Sequence, residues 1–170
     1  RTNNCGELNE TFLGKEVIVC GWTDAIRAHG RIGFLNLRDR YGLIQIFYEG
    51  ELLEKIKNTT CESVLRVRGI VRERPSHQAN RTLPTGKVEL FAKEIEVLSK
   101  AQPLPLESKL GNPTEETRLK YRYLDLRTSR MQQNLVTRYN MIREIRHVLD
   151  TKGFIEIETP MLIKTTPEGA

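Results

Sequence analysis

Two short apolar runs, residues 32–37 and 43–47, flank a polar link that ends in Gly42. Strand-like alternation on both sides of a glycine-bearing turn predicts a β-hairpin. Successive side chains of a strand point to opposite faces, so Phe34 and Asn36 share one face while Gly33, Leu35 and Leu37 share the other. In the second strand Gln45 and Phe47 oppose Ile44 and Ile46. One face is therefore a core, and the other exposes the ring of Phe34 beside the amide of Gln45. That pairing buries surface poorly, but it suits an unpaired base that is stacked on the ring and read along its edge.

The pattern extends on both sides of the hairpin. Residues 15–27 predict a strand through Val17, Ile18, Val19 and Cys20 that bends at Gly21. Residues 51–60 change period, with Leu52, Leu53 and Ile56 at helical spacing, and residues 63–72 and 87–98 alternate again around a long loop at 74–86. The order β-β-β-α-β-β predicts a five-stranded OB-fold barrel, whose second and third strands and flanking loops bind oligonucleotides; other small β-barrels are the alternative.

Pro103, Pro105 and Pro113, with Gly111 and Asn112, predict an extended linker, which divides the chain into a barrel domain at 1–101, a linker at 102–113 and a second domain at 114–170. Residues 114–124 look helical, with Glu115 and Glu116 in the first turn. Ser129 and Gln132 have capping-box spacing, and Leu135, Tyr139, Ile142, Ile145 and Leu149 recur every three or four positions. A long amphipathic helix to about Lys152 is expected, stopped by Gly153 and followed by an alternating strand at 154–160 that ends in Pro160.

Composition narrows the class only a little. At 170 residues and 38% hydrophobic, the chain can bury one core and part of another. No run approaches the ~18 apolar residues of a membrane span, and no secretory leader is visible, so the cytosol or an organelle matrix is the expected compartment. Cys5, Cys20 and Cys61 are too dispersed for a zinc site or a disulfide framework, and His29, His77 and His147 are too scattered for a metal. A net charge of +5, from 27 basic and 22 acidic residues, favours a polyanionic partner only mildly. Beginning at Arg1 and ending within a motif at 167–170, the chain is expected to be a piece of a longer protein.

The phrase Arg-Leu-Lys-Tyr-Arg-Tyr-Leu-Asp-Leu-Arg at 118–127 and Thr-Pro-Glu-Gly-Ala at 166–170 frame the long helix, its glycine, the strand and Pro160-Met161-Leu162. With Arg1-Thr2, Cys5-Gly6-Glu7-Leu8 and Cys20-Gly21-Trp22, the whole chain resembles the aspartyl-tRNA synthetases of bacterial and organellar type, which belong to class II. The lysine and asparagine enzymes share that architecture and differ at these phrases; a stand-alone OB-fold nucleic-acid-binding protein is the rival of another class.

The resemblance implies an anticodon-reading barrel followed by the start of an α+β catalytic domain. The full-length enzyme would use ATP and Mg²⁺ to activate L-aspartate and transfer it to tRNA(Asp), as a homodimer in the bacterial cytoplasm or, in a eukaryote, the mitochondrial matrix. The arginines that hold ATP in the family would lie beyond Ala170, so the 170-residue chain is expected to bind no cofactor and to be inactive alone. Glu168 matches a loop residue that contacts the substrate's ammonium group. Phe34 matches the ring under the middle anticodon base and Gln45 its amide partner. Arg27 matches an anticodon-contacting arginine, and Arg74, Gln78, Asn80 and Glu89 match positions near the first anticodon base. Glu89 would accept from guanine N1 and N2, its plain alternative being a cross-strand pair with a lysine. Ile142, Phe154 and Pro160 fall in the dimer-interface motif.

One departure is visible: residues 23–29 carry a single arginine where many bacterial relatives have several, which implies fewer phosphate contacts and a weaker, less salt-dependent grip. His29 followed by Gly30 often accompanies enzymes that charge tRNA(Asn) as well as tRNA(Asp), whereas His77 stands where such enzymes usually have glycine. The two signals conflict, and the balance leans to relaxed specificity.

Overall fold

A computed structural model describes residues 1–75, 79–80, 82–105, 113–162 and 164. The chain divides into two compact units, 1–105 and 106–170.

In the first unit the strands are β1 (Glu16–His29), β2 (Ile32–Arg38), β3 (Leu43–Glu49), β4 (Val64–Glu73) and β5 (Val88–Ser99), with α1 (Glu51–Ile56) after the third. They close into a barrel in the order β1-β2-β3-β5-β4, antiparallel except for a short parallel contact between β3 and β5. This is the OB topology. Its interior is filled by alternate strand residues, among them Val17, Val19, Leu35, Leu37, Ile44, Ile46, Leu65, Val67 and Leu90, and α1 adds Ile56.

β1 runs two residues further than the pattern suggested and is shared along its length. Trp22 pairs with Val64 of β4 on one side and Arg38 of β2 on the other. The irregularity lies between Thr23 and Ala25 rather than at Gly21. Glycine is needed at position 21 for a different reason: a Cβ there would overlap the carbonyl of Arg38. Thr23, which is buried, donates from Oγ1 to the Thr60 carbonyl at 2.6 Å, fastening the bulge.

The β2–β3 turn is held by Asp39. Its carboxylate accepts from the N–H groups of Tyr41 (2.8 Å), Gly42 (3.1 Å) and Cys5 (2.8 Å). The third bond anchors two short 3₁₀ turns, Cys5–Glu7 and Glu10–Phe12, which the hydrophobic pattern did not predict. Burial, and then Asp39, push the Cys5 thiol up, which keeps it protonated and inert. All three cysteines are unpaired.

In the second unit the helix expected at 114–124 is broken at Tyr121 into α2 (Glu115–Lys120) and α3 (Arg122–Asp125). The break lets Arg118 and Arg122 converge on the buried Asp125: Arg118 donates at 2.9 and 3.3 Å, and Arg122 closes a second ion pair. α4 (Ser129–Thr151) is capped by Thr128, whose hydroxyl accepts from the Met131 N–H at 3.4 Å. No box forms on Ser129; Gln132 instead donates to the Leu126 carbonyl at 2.6 Å. Gly153 (φ 82°) ends the helix in a Schellman arrangement, with N–H bonds from Phe154 to Leu149 and from Gly153 to Asp150.

The strand expected at 154–160 is not formed. A strand requires a neighbouring ladder, and among the described residues none pairs with this segment, whose side chains are exposed.

Candidate nucleic-acid interface

Strand register sets one row of side chains across the outside of the barrel. Arg27 of β1 lies opposite Phe34 of β2, Phe34 opposite Phe47 of β3, and Phe47 opposite Phe91 of β5. The rings interlock: Phe34 meets Phe47 edge to face at 5.3 Å, and Phe47 stacks on Phe91 at 5.7 Å. Phe47 is nearly covered, whereas Phe34 is half-buried and Arg27 is exposed. The ring outside the core is therefore Phe34, as alternation predicts, but it is the outer member of a three-ring platform.

Behind the rings lies a polar chain. Arg72 of β4 places its guanidinium carbon 4.1 Å from the centre of the Phe47 ring and 5.0 Å from that of Phe91. Its Nε and one terminal nitrogen each reach Glu89 Oε1 at 2.8 Å. The other carboxylate oxygen of Glu89 accepts from Gln45 Nε2, also at 2.8 Å. Glu89 thus has an arginine partner, not the lysine that a plain cross-strand pair would use. Its side chain is only 3% accessible, with one carboxylate oxygen held by Arg72 and the other by Gln45.

The remaining expected residues are more dispersed. Arg74 is 6% exposed and its Nε has no hydrogen-bond partner, so burial pulls its pKa below the usual guanidinium range while the charge of Glu89 opposes that shift. Asn80 is exposed and its Oδ1 is used locally, accepting from the N–H (3.0 Å) and hydroxyl (2.7 Å) of Thr82. His29 is exposed at the end of β1, across a two-residue turn that Gly30 enters at φ 59°. Gln78, His77 and Glu168 lie outside the described residues.

Phe91 and Arg72 were missed by the sequence reading. Alternation in β5 sets Glu89 and Phe91 against Val88 and Leu90, so the signal for their shared face was present. What it lacked was the parallel β3–β5 register that brings Phe91 to Phe47 and Glu89 to Gln45.

Most basic side chains elsewhere on β4 are neutralised. Arg66 pairs with Glu96 at 2.6 Å, and Arg68 with Glu94 and Glu16 at 3.0 and 3.3 Å. The ring row with Arg27 at its edge is suited to flat, anionic ligands, which is the chemistry of unpaired nucleotides. Among the described residues, no three His, Cys, Asp or Glu side chains gather as a metal site would require, and no helix is long and apolar enough to cross a membrane.

In the second unit α4 and the segment after it expose an apolar stripe that includes Leu135, Tyr139, Ile142, Ile145 and Phe154. Pro160 is exposed as well.

Residues 17–98 match the family of OB-fold nucleic acid binding domains, and residues 114–170 match the class II tRNA synthetases (D, K and N). The full chain is 49% identical over 172 residues to an aspartate–tRNA(Asp/Asn) ligase of Thermotoga neapolitana, and 47% identical over 176 residues to one of Caldanaerobacter subterraneus. In each case all of this chain aligns with 30% of the relative, so it spans about a third of the length of these curated relatives. A crystal structure of asparaginyl-tRNA synthetase from Pyrococcus horikoshii matches 95% of this chain and 38% of its own, with a TM-score of 0.82 at 27% identity.

Proposed function

We propose that the chain is the anticodon-reading part, with the first portion of the synthetase domain, of an aspartate–tRNA ligase, and that it takes tRNA(Asn) as well as tRNA(Asp). The observation that carries this reading is the row Arg27–Phe34–Phe47–Phe91, placed outside a barrel whose core is already filled. The middle anticodon base stacks on Phe34, Gln45 reads its edge, and Arg27 meets the adjoining phosphate. His29, exposed at the β1–β2 turn, contacts a neighbouring nucleotide in this reading, and the names of the similar ligases support the dual tRNA use. Gln78 and Asn80 contribute from the β4–β5 loop, and Glu168 binds the ammonium group of L-aspartate. The exposed stripe of α4, with Ile142, Phe154 and Pro160, supports a homodimer interface.

In the full-length enzyme, ATP would activate the amino acid and Mg²⁺ would neutralise the phosphates. Among the described residues no three His, Cys, Asp or Glu side chains gather as a site for Mg²⁺ would require, and this chain's own share is recognition. By itself the 170-residue chain should give no aspartate-dependent pyrophosphate exchange, and turnover in that assay would refute the division of labour.

The direct test is fluorescence anisotropy with the anticodon stem-loop of tRNA(Asp) against one whose loop bases are scrambled. A preference of at least about tenfold, roughly 1.4 kcal/mol, is expected. Equal affinity for the two would reject an anticodon site.

A further inference from the structure

We infer that Arg72 and Glu89 are positioning residues that lock the Gln45 amide with its carbonyl facing outward, so that the site favours a base with an imino N–H at the centre of its edge, such as uracil, over one with a lone pair there, such as cytosine. This inference rests on the anticodon reading proposed above and adds the origin of its base selectivity.

A primary amide has a donor end and an acceptor end of nearly the same shape, and a half-turn exchanges them. Something must therefore decide which end Gln45 presents. Glu89 does so, because a carboxylate can only accept: Gln45 must aim its NH₂ at Oε2, where it sits at 2.8 Å. The reversed amide would set a carbonyl oxygen against a carboxylate that is 3% accessible, leaving two acceptors facing each other with little water between them. The Gln45 carbonyl consequently points away from Glu89, and none of the described residues donates to it.

Arg72 keeps Glu89 in place. Two of its nitrogens hold Oε1 at 2.8 Å, which leaves Oε2 for Gln45, and the guanidinium is itself lodged against the Phe47 and Phe91 rings. Stacking platform and amide orientation are thus set by the same arginine. The outward carbonyl accepts the N3–H of uracil, whereas cytosine brings its N3 lone pair to the same place. Neither Arg72 nor Glu89 needs to touch the base.

The test compares dissociation constants of the full-length protein for two anticodon stem-loops that differ only in U or C at the middle position. The wild type should prefer U by about tenfold or more, as expected for one well-placed base contact. Glu89→Gln is nearly isosteric, but a glutamine there can donate to Gln45 and release its amide to turn. The U-to-C ratio should then fall below about threefold, by weaker binding of U together with tighter binding of C. Arg72→Lys, which keeps the charge and loses the fork, should lower the ratio in the same direction, and it carries the test if Glu89→Gln does not fold. A merely structural role would weaken both stem-loops alike and leave the ratio unchanged. A folded Glu89→Gln protein that retains the wild-type ratio overturns the inference, as does a wild type that binds the stem-loops without preferring U. If the wild type binds no stem-loop above a scrambled control, the anticodon reading fails with it.

Discussion

Replacing Phe34 by alanine separates a recognition surface from a core, because its neighbour Leu35 lies on the opposite face of the same strand. Leu35 is 1% exposed, and its truncation should cost ~2 to 5 kcal/mol of stability. Phe34 is half-buried and meets one ring, Phe47, edge-on at 5.3 Å. Losing that contact is worth about 0.5 to 1.5 kcal/mol, which lowers the melting temperature by only a few degrees in a domain of this size. A base stacked on the ring contributes ~1 to 3 kcal/mol, so Phe34→Ala should weaken stem-loop binding roughly 5- to 150-fold. Leu35→Ala should leave affinity per folded molecule unchanged. Thermal melts and stem-loop titrations of both variants give four numbers whose pattern must cross. If Phe34→Ala melts the barrel as Leu35→Ala does, with affinity unaltered, the outward face has been wrongly assigned.

Asp39→Ala removes the acceptor shared by Tyr41, Gly42 and the buried N–H of Cys5, and should lower stability in urea by about 2 to 4 kcal/mol; a loss under about 0.5 would show that water replaces all three bonds. Ile142→Glu should disperse the proposed dimer of the full-length protein in sedimentation, since a two-fold contact suffers the change twice, and an unaltered dimer rejects the interface. The hydrogen bond from Arg118 holds the Asp125 carboxyl below the usual carboxylate range. The unfolded chain therefore takes up this proton first as acid is added, and the contribution of Asp125 is present above the ordinary carboxylate pKa and lost as pH falls through the lowered one. Thermal melts across acidic pH should show that loss in the wild type and a flatter profile in Asp125→Asn.

The barrel was legible because its signals are local. Two-residue alternation marks each strand, and the helical period of Leu52, Leu53 and Ile56 breaks the run where α1 begins. Phe34 and Gln45 could be placed on one face by the same counting. The partners of Gln45 could not, because the contact with Glu89 spans 44 residues and depends on a parallel register that no local pattern encodes. Glu89 illustrates the limit: residue type suggested a base acceptor, and nothing local announced that its carboxylate accepts from Gln45 and Arg72. Helix ends misled differently. Thr128 and Ser129 are both good caps, and the choice fell to Thr128 because the chain turns at Asp125 to meet Arg118. The segment 154–160 has a strand's alternation, but alternation describes faces and does not provide a neighbour.

The double pairing of β1 bears on how the barrel unfolds. Its first half belongs to the β4 edge and its second half to the β2 edge, with Trp22 bound into both. Neither the β1–β2 hairpin nor the β4–β5 hairpin can detach as a self-contained piece, because opening either strips one side of the same strand. Cooperativity is thereby written into chain connectivity: amides at the two ends of β1 should share one opening free energy in hydrogen exchange, and the ring row at its far end is as durable as the barrel itself.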